Sequence, residues 1–545
     1  MKITVCFLIA AILISLMPFT GAVLSAGTTT FDMSSDVSVA KVGETFTVTV
    51  TGKNVKDLDA FEARVLFDSD KLEAIPGKIV ANLKGGTVNP MVKGNTIILA
   101  YAKMGNEAKE NGNLPLCSIS FKIKKPGAPK VTLDSMKVLD SILAEANYTI
   151  GKTVTVFASD ASTVVTAAAY DAAAKTATAN VSIEDLQKAI DNTAKTIYIN
   201  VLGIEEADTV IVNMPAQLLK DAQLKQGKTI RINAGIATAS FTNDMLEESV
   251  INASINLQFR VSKRVDIEAL SKEVKTQMDG RPSYDVSVNV DGKGINNIKG
   301  NKRIAGMEVG YSLRDGENPG KVIIYYIDSN GKLTLVKNGK YNSDTGNVDF
   351  KPQHFSIFVV GYSKITFDDL PSAAWAKDSI EALAGRGIIN GTGGGRFDPA
   401  APITRAQFIK LLMQAFDLAD DDAVCTFKDV KKGEWYYSSV AAAQKLKIVS
   451  GNADGSFGIN DGITRQDMAV MAYKTALLQN ISLSGGPAVT QFTDKAAIAS
   501  YAVEAVAAMQ ESGIISGVGD NRFAPKDTAT RAEAAVILYR LFSKS

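Results

Sequence analysis

Three arginines near the C-terminus stand in nearly the same local sequence and carry the clearest chemical signal in the chain. They are Arg405, Arg465 and Arg531, and each follows a threonine. A guanidinium group is planar and always charged, and it can donate two parallel hydrogen bonds to one carboxylate. In the first turn of a helix, an arginine also opposes the helix dipole. We therefore predict that these arginines act outside their own helices, either on an acidic ligand or as bridges to a neighbouring repeat.

The arginines belong to a pattern that occurs three times between Phe367 and Ser545. Each copy opens with Phe-x-Asp, passes an aromatic residue and a glycine-rich stretch, and reaches the Thr-Arg pair. The apolar spacing and the glycines predict a helix, a glycine-rich loop and a second helix in every copy. Each threonine is a predicted N-cap, and the residue three places later completes or approximates a capping box. Those later residues are Gln407, Asp467 and Glu533.

These motifs resemble the S-layer homology (SLH) family, and the resemblance covers about the last third of the chain. It implies an all-α body in which three repeats are related by a pseudo-threefold axis. The repeats would span 364–422, 423–484 and 485–545. The resemblance also implies grooves that bind the secondary polysaccharide of a Gram-positive-type cell wall, often through a pyruvylated amino sugar.

The same resemblance assigns roles to individual residues. It implies that the three arginines pair with the carboxylate of the sugar, with the residues of the capping-box position beside them. Trp375 and Trp435 would form apolar walls, and Gly391 and Gly451 would allow close approach of the backbone. The signature departs from the family at Gln407, where glutamate is usual, and at Tyr501, near the tryptophan position. These departures predict that the grooves are unequal.

The N-terminal part, residues 27–158, is predicted to be a β-sandwich because short alternating strands are separated by turn residues. The segments VGETFTVTV, LDAFEARVLFDSDKLEAI, IILAYAK and LCSISFKIK occur in that order and resemble the cohesin family. The resemblance implies a jelly-roll β-sandwich that binds the dockerin modules of secreted enzymes, or carbohydrate as related sandwiches do. It places a partner-binding face at Ala60, Glu62, Ala100 and Lys103. Alternatively, Glu62 and Lys103 only form the solvated face of a sheet.

Two further segments complete the predicted organisation. Residues 1–26 have a charged start, an apolar run and small residues at the end, which indicate a secretory signal peptide. Residues 159–363 are predicted to form an α+β spacer of one or two β-rich units, with a linker over 161–179 that runs into a first strand and a helix over 215–224. Cys117 and Cys425 fall in different predicted domains, so we expect unpaired thiols.

Little in the sequence indicates catalysis. His354 is the only histidine and borders a predicted strand, so we expect it to be structural. The net charge of +1 does not favour nucleic acid as a partner. We predict no catalytic residue, metal site, cofactor or retained membrane span. The leading interpretation is a secreted, wall-anchored, non-catalytic binding protein; the alternatives are an S-layer lattice subunit and, with less support, a surface enzyme acting on polysaccharides.

Overall fold

The computed structural model describes residues 29–104, 110–160, 162–192, 195–204, 206–216, 228–242, 256–264, 271–294, 306–484 and 491–545. The predicted signal peptide lies outside the described residues, and so does most of the helix that we predicted over 215–224. The described chain forms two strand-rich parts followed by a helical part.

The N-terminal part is a β-sandwich whose longest strand belongs to both of its sheets. Its strands are β1 (Thr30–Ser35), β2 (Val39–Lys41), β3 (Thr45–Phe67), β4 (Leu72–Ala81), β5 (Gly86–Thr87), β6 (Met91–Lys93), β7 (Thr96–Ala102), β8 (Glu110–Ile123), β9 (Lys130–Asp140), β10 (Glu145–Thr155) and β11 (Phe157–Ser159). The first part of β3 pairs with β1 and β8, and its last part pairs with β7 and β9.

The sequence predicted two separate strands where β3 is continuous. The strand bends between its two parts at Asn54 and Asp57, which have left-handed backbone conformations. Asparagine and aspartate tolerate this conformation better than most residues. Because side chains alternate along a strand, Phe46 and Val48 from one part and Phe61 from the other enter one apolar core.

The middle part is also a strand-rich sandwich with one shared core. Its strands are β12 (Thr163–Asp171), β13 (Thr176–Asn180), β14 (Thr196–Leu202), β15 (Thr209–Pro215), β16 (Thr229–Asn233), β17 (Ala237–Thr242), β18 (Asn256–Arg264), β19 (Ser283–Val290), β20 (Lys293–Gly294), β21 (Gly306–Gly310), β22 (Val322–Ile327), β23 (Leu333–Val336), β24 (Lys340–Asn342), β25 (Asn347–Phe350) and β26 (Ile357–Tyr362). In the described segments of this part, two α-helices accompany the strands, α1 (Ile183–Asn192) and α2 (Lys272–Met278).

We predicted that 161–179 is a linker running into a first strand. The strand is confirmed, but the linker is wrong, because this stretch contains β12 and most of β13. The first half of β12 pairs with β14 and its second half pairs with β13, so β12 connects the two sheets. Val164 and Ala177 are buried in the common core. Threonine and valine favour strands, and alanine is small enough to fit where sheets pack closely. The alternation was too short and too alanine-rich to be recognised in the sequence.

The C-terminal part is built from helices and loops. Its helices are α3 (Lys377–Gly385), α4 (Arg405–Ala415), α5 (Tyr437–Lys445), α6 (Arg465–Leu478), α7 (Val503–Glu511) and α8 (Arg531–Ser543). The threonine caps are confirmed: Thr404 and Thr530 form complete capping boxes, and Thr464 accepts a hydrogen bond from the backbone N–H of Asp467. Because α4, α6 and α8 start at the predicted arginines, each guanidinium lies at the beginning of a helix.

A ring of three backbone hydrogen bonds joins the segments that precede these helices. The N–H of Ile403 donates to Ala529, that of Ala529 to Ile463, and that of Ile463 to Ile403, with N–O distances of 3.1, 2.9 and 3.0 Å. Each isoleucine or alanine is buried. The segments before the three arginines therefore meet at one point, from which the helices extend.

Buried polar contacts connect the middle sandwich to both neighbours. Arg386, just after α3, is 1% exposed and donates to the carbonyl oxygens of Gly320, Val322 and Gly339 at 2.6–2.9 Å. On the other side, the Nζ of Lys130 in β9 donates to the Thr345 carbonyl at 3.0 Å. The middle sandwich thus contacts both the N-terminal sandwich and the first repeat.

Candidate functional site

An aspartate near the start of each repeat fixes the loop that precedes its Thr-Arg pair. Asp369 accepts hydrogen bonds from two backbone N–H groups of its loop, and Asp494 does the same in the third repeat. Asp429 accepts three, from Phe457, Gly458 and Ile459. Burial alone would raise the pKa of each carboxyl, but these N–H donors hold the pKa below its usual value. The aspartates of the Phe-x-Asp motif therefore shape the loops.

This arrangement predicts acid-sensitive repeats. A carboxyl whose pKa is lowered on folding stabilises the protein above its unfolded pKa, and that stability is lost as the pH falls through the folded value. We expect the unfolding temperature of the repeats to drop below about pH 4. Asp429→Asn should lower the free energy of unfolding at pH 7 by about 1–3 kcal/mol, because the amide oxygen cannot accept all three bonds. Calorimetry at a series of pH values checks the acid sensitivity and the effect of Asp429→Asn. If this variant loses stability in acid as the original protein does, the acid sensitivity does not come from this aspartate.

Each arginine reaches from its own helix to the next repeat. Arg405 donates to the Phe457 carbonyl at 3.0 Å and to the carboxylate of Asp467 at 3.0 Å. Arg465 donates to the Phe523 carbonyl at 2.7 Å and forms an ion pair with Glu533. The prediction that these arginines act outside their own helices is confirmed, and two of them bridge repeats through acidic residues.

Arg531 differs in its partners. It donates to the carbonyl oxygens of Phe397 at 2.9 Å and Asn390 at 2.8 Å in the first repeat, and its guanidinium lies 4.5 Å from the centre of the Phe397 ring. The position that Asp467 and Glu533 hold in the other repeats is Gln407 here. Within the described part of the chain, no carboxylate forms an ion pair with Arg531. Burial lowers the pKa of this guanidinium.

Three grooves can be defined from these contacts, each combining parts of all three repeats. The first groove contains Arg405, Asp467 and Tyr501, whose hydroxyl donates to Asp467 at 2.7 Å. The second groove contains Arg465, Glu533 and Trp375, which line a cavity of about 270 Å³. The same repeat order would combine Arg531 with Gln407 and Trp435 in a third groove; the contact shown there is between the Nζ of Lys410, on the helix of Gln407, and the ring of Trp435, at 4.9 Å from the ring centre.

The aromatic residues of the grooves are unusually open to solvent. Trp375, Trp435 and Tyr501 are 64%, 50% and 59% exposed, whereas large aromatic side chains are mostly buried in folded proteins. Burial and the hydrogen bond to Asp467 raise the pKa of Tyr501 to about 12, so its hydroxyl remains a donor at neutral pH. In the first two grooves an exposed ring thus lies close to an arginine.

Gly391 and Gly451 lie where the loop crosses the phenylalanine that opens each repeat. A Cβ atom on Gly391 would lie 2.6 Å from a ring carbon of Phe367 and 2.6 Å from the carbonyl oxygen of Arg396. Gly451 has a φ of +72°, and a Cβ there would collide with the ring of Phe427. These glycines are therefore required for packing within their own repeat, and a role towards a sugar stays a prediction.

The predicted partner face of the N-terminal sandwich lies on the outer side of β3, β7 and β9. The strand register sets Glu62 between Ala100 and Lys137, and Ala60 between Ala102 and Leu139. Ala60 and Ala100 are 1% and 3% exposed. Of these three residues, Glu62 is the one whose side chain reaches solvent. Burial raises the pKa of Glu62, with Lys137 acting in the opposite direction.

Lys103 does not belong to an open, solvated face, which corrects the alternative interpretation for this residue. It follows β7, it is 8% exposed, and its backbone N–H donates to the Asp59 carbonyl at 2.8 Å. A pattern of alternating residues does not reveal that this lysine, just after the end of β7, is buried.

Two residues of the C-terminal part were missed from the sequence. Lys410 occupies the position held by Val470 and Val536 in the other repeats, so aligning the repeats residue by residue would have singled it out. Arg386 has no arginine counterpart, since Leu446 and Ser512 stand at its position. The structure shows its burial, and no sequence signal indicated it.

Comparison with known proteins identifies both ends of the chain. Residues 366–409, 426–469 and 491–535 match the family model of the S-layer homology domain, and residues 33–164 match that of the cohesin domain. The chain thus carries a cohesin domain followed by three S-layer homology repeats, as the motifs predicted. Neither domain is catalytic. The repeats, together with S-layer relatives, place the chain at the surface of a Gram-positive-type bacterium.

Relatives share parts of the chain. The amylopullulanase of Thermoanaerobacterium thermosulfurigenes is 29% identical over 65% of this chain and 18% of its own length. The S-layer protein sap of Bacillus anthracis is 36% identical over 31% of this chain and 20% of its own length. The chain spans about a fifth or less of these curated relatives. A type II cohesin domain from the cellulosome of Acetivibrio cellulolyticus is 13% identical over 24% of this chain and 95% of its own, with a TM-score of 0.21.

The described residues show neither a membrane-spanning helix nor a cluster of metal ligands. Among the described residues, no helix combines the length and the apolar character needed to cross a bilayer. No group of three or more histidine, cysteine, aspartate or glutamate side chains is placed to hold a metal ion in the same part of the chain. Cys117 and Cys425 are both free thiols, and Cys117 is buried.

Proposed function

We propose that this chain is a non-catalytic cell-surface protein with two binding ends. Its SLH repeats anchor it non-covalently to secondary cell-wall polysaccharide, and its cohesin domain captures secreted proteins that carry dockerin modules. The observation that carries the anchoring role is the exposed aromatic ring close to an inter-repeat arginine in the first and second grooves. A ring can stack on the apolar face of a sugar, and the surrounding polar groups fix its orientation.

In this proposal the repeats form one all-α, pseudo-threefold body. Two observations support it: the ring of hydrogen bonds through Ile403, Ile463 and Ala529, and the repeated contact of each arginine with a phenylalanine carbonyl of the next repeat. The wall sugar would carry a carboxylate, such as a pyruvate ketal, because carboxylates are the natural partners of guanidinium groups.

The dockerin would dock on the outer face of β3, β7 and β9. Ala60 and Ala100 are almost fully buried, so they add little surface to this face, while Glu62 offers a half-buried charge. Of the four residues predicted for this face, Glu62 is therefore the one whose charge a partner would meet. Carbohydrate binding by the same face is the competing outcome of any binding experiment.

The other two functions have less support. The S-layer relatives match about 31% of the chain, which is close to the extent of the repeats, so the match does not favour a lattice. The match to the amylopullulanase covers 65% of this chain, so it must include part of the middle sandwich. It covers 18% of that enzyme. We propose that the middle sandwich, with its buried contacts to both neighbours, is a spacer between the two ends.

Sedimentation with wall preparations tests the anchoring end. The full chain should co-sediment with cell-wall sacculi that retain the secondary polysaccharide and should stay in solution when acid extraction has removed it. Equal binding to both preparations would contradict a polysaccharide anchor and would indicate contact with peptidoglycan instead. Absence of binding to either would contradict anchoring altogether.

A further inference from the structure

A polar cavity of about 380 Å³ lies between the N-terminal sandwich and the middle sandwich, and neither proposed binding end uses it. Pockets for small ligands in proteins measure about 300–1,000 Å³, whereas one water molecule needs about 30 Å³. The cavity is therefore large enough for an organic ligand. Side chains from both sandwiches line it, among them Lys71, Lys130 and Phe157 from the first and Tyr198, Asn200 and Arg231 from the second.

The strand register gathers polar side chains on the wall that the middle sandwich contributes. Residues that pair across neighbouring strands point to the same face of a sheet, and successive residues of one strand alternate between faces. On β14 and β16, Tyr198 pairs with Arg231 and Asn200 pairs with Asn233. The residue between the first two of β14, Ile199, enters the apolar core. The outer face of this sheet is therefore polar where it faces the N-terminal sandwich.

Asn200 carries an unpartnered polar group at this wall. The residue is 2% exposed, and its Nδ2 has no hydrogen-bond acceptor among the described residues. The Oγ1 of Thr345, which also lines the cavity, is buried without a partner in the same part of the chain. Buried polar groups without hydrogen bonds destabilise a folded protein and are rare in native structures. A ligand with hydroxyl groups would supply partners for both side chains.

The charged groups around the cavity already have partners within the protein. Arg231 and Glu308 form an ion pair at 2.6 Å, and Lys71 and Asp68 form another at 2.6 Å. The Nζ of Lys130 donates to two oxygen atoms of the middle sandwich at 3.0 and 3.1 Å. An ionic ligand would have to compete with these contacts. A neutral ligand can instead add hydrogen bonds to them, because guanidinium and carboxylate groups each bond to several partners at once.

We propose that this cavity binds a short segment of neutral polysaccharide. The sugar hydroxyls bond to Asn200 and to the pair of Arg231 and Glu308, while the apolar face of a sugar ring packs against Tyr198 and Phe157. A sugar fits because it combines many hydroxyl groups with an apolar ring face and carries no charge. The wall polymer and polysaccharides outside the cell both contain such segments, so the experiment must separate these two sources.

Calorimetry with the full chain measures the binding. The probes are cello-, xylo- and malto-oligosaccharides and, separately, neutral fragments of the secondary wall polysaccharide. We expect at least one probe to bind, and Asn200→Ala to weaken that binding about tenfold, because a sugar hydroxyl loses its donor. Tyr198→Ala should weaken it by a similar factor through loss of the ring, and it provides the test if Asn200→Ala does not fold.

Asn289→Ala is the matched control, because it makes the same substitution on the other sheet of the middle sandwich. Asn289 lies on β19, where its Nδ2 donates to the side chain of Gln258 at 3.4 Å, and it does not line the cavity. This variant should bind the sugar as the original protein does. An equal loss of binding in this variant and in Asn200→Ala would overturn the assignment to the cavity.

The remaining outcomes decide the proposal and its source of sugar. Binding of the wall fragments alone, lost in the two cavity variants, supports a wall ligand; binding of the other oligosaccharides, lost in the same way, supports an external polysaccharide. If no probe binds, or if both cavity variants bind like the original protein, the proposal is overturned and the cavity holds only water. Wall anchoring and dockerin capture would stand in that case, because neither uses this cavity.

Discussion

Replacing Arg386 by alanine is expected to lower the free energy of unfolding by about 4 kcal/mol. The side chain is 1% exposed and donates to the carbonyl oxygens of Gly320, Val322 and Gly339, and to Ala382 in its own helix. Without it, several buried carbonyls lose their donor at once, and a cavity opens at the junction. Burial lowers the pKa of Arg386 to about 10, so the charge is present at neutral pH.

The measurement is the unfolding temperature of the transition that includes the repeats, and we expect it to fall by roughly 10 °C. Arg396→Ala is the matched control, because this arginine is in the same repeat but its side chain is 60% exposed in a surface pair with Asp398. Surface pairs contribute about 1 kcal/mol or less. Equal shifts for the two variants would show that the middle sandwich and the repeats are not joined through Arg386.

Replacing Glu62 by arginine is expected to weaken capture of a dockerin module at least a hundredfold. The change places a third cation beside Arg64 and Lys137 at the centre of the proposed face. Like charges brought together in an interface cost several kcal/mol, and 1.4 kcal/mol corresponds to a tenfold change in affinity. The fold should survive, because the side chain points away from the core of the sandwich.

Glu73→Arg provides the control for this prediction. It makes the same change of charge on β4, in the sheet that does not carry the proposed face, and Glu73 is exposed. Surface plasmon resonance with a panel of dockerin modules from secreted glycosidases measures both variants. If Glu73→Arg loses binding and Glu62→Arg keeps it, the partner docks on the other sheet.

The sequence predicted local structure in the repeats better than it predicted contacts between them. Thr404 and Thr530 lie in capping boxes as expected, since a cap depends on residues three positions apart. The contact of Arg405 with Asp467 depends on how the repeats close on one another, which no local pattern contains. Gln407 was visible as a departure from the family, but its consequence for Arg531 required the structure.

In the strand-rich parts, too, the sequence predicted local structure but not which segments come together. Alternation placed Phe61 and its neighbours in a strand, but it could not show that this strand continues from the one containing Phe46. The prediction of a linker within 161–179 failed because alanine is a weak indicator of any secondary structure. In the structure, β12 joins the two sheets of the middle sandwich in this stretch. Burial of Arg386 lay beyond sequence reasoning, because arginine is rarely buried without partners, and these partners are backbone carbonyls.

In the function proposed above, one chain holds the wall and a dockerin-bearing protein at the same time. The most direct test is the sedimentation of a labelled dockerin-bearing enzyme with wall sacculi in the presence and absence of this protein. We predict that the enzyme sediments when the unaltered chain is present. It should remain in solution with Glu62→Arg, although that variant still binds the sacculi. An enzyme that stays in the supernatant while the unaltered chain sediments would contradict the account.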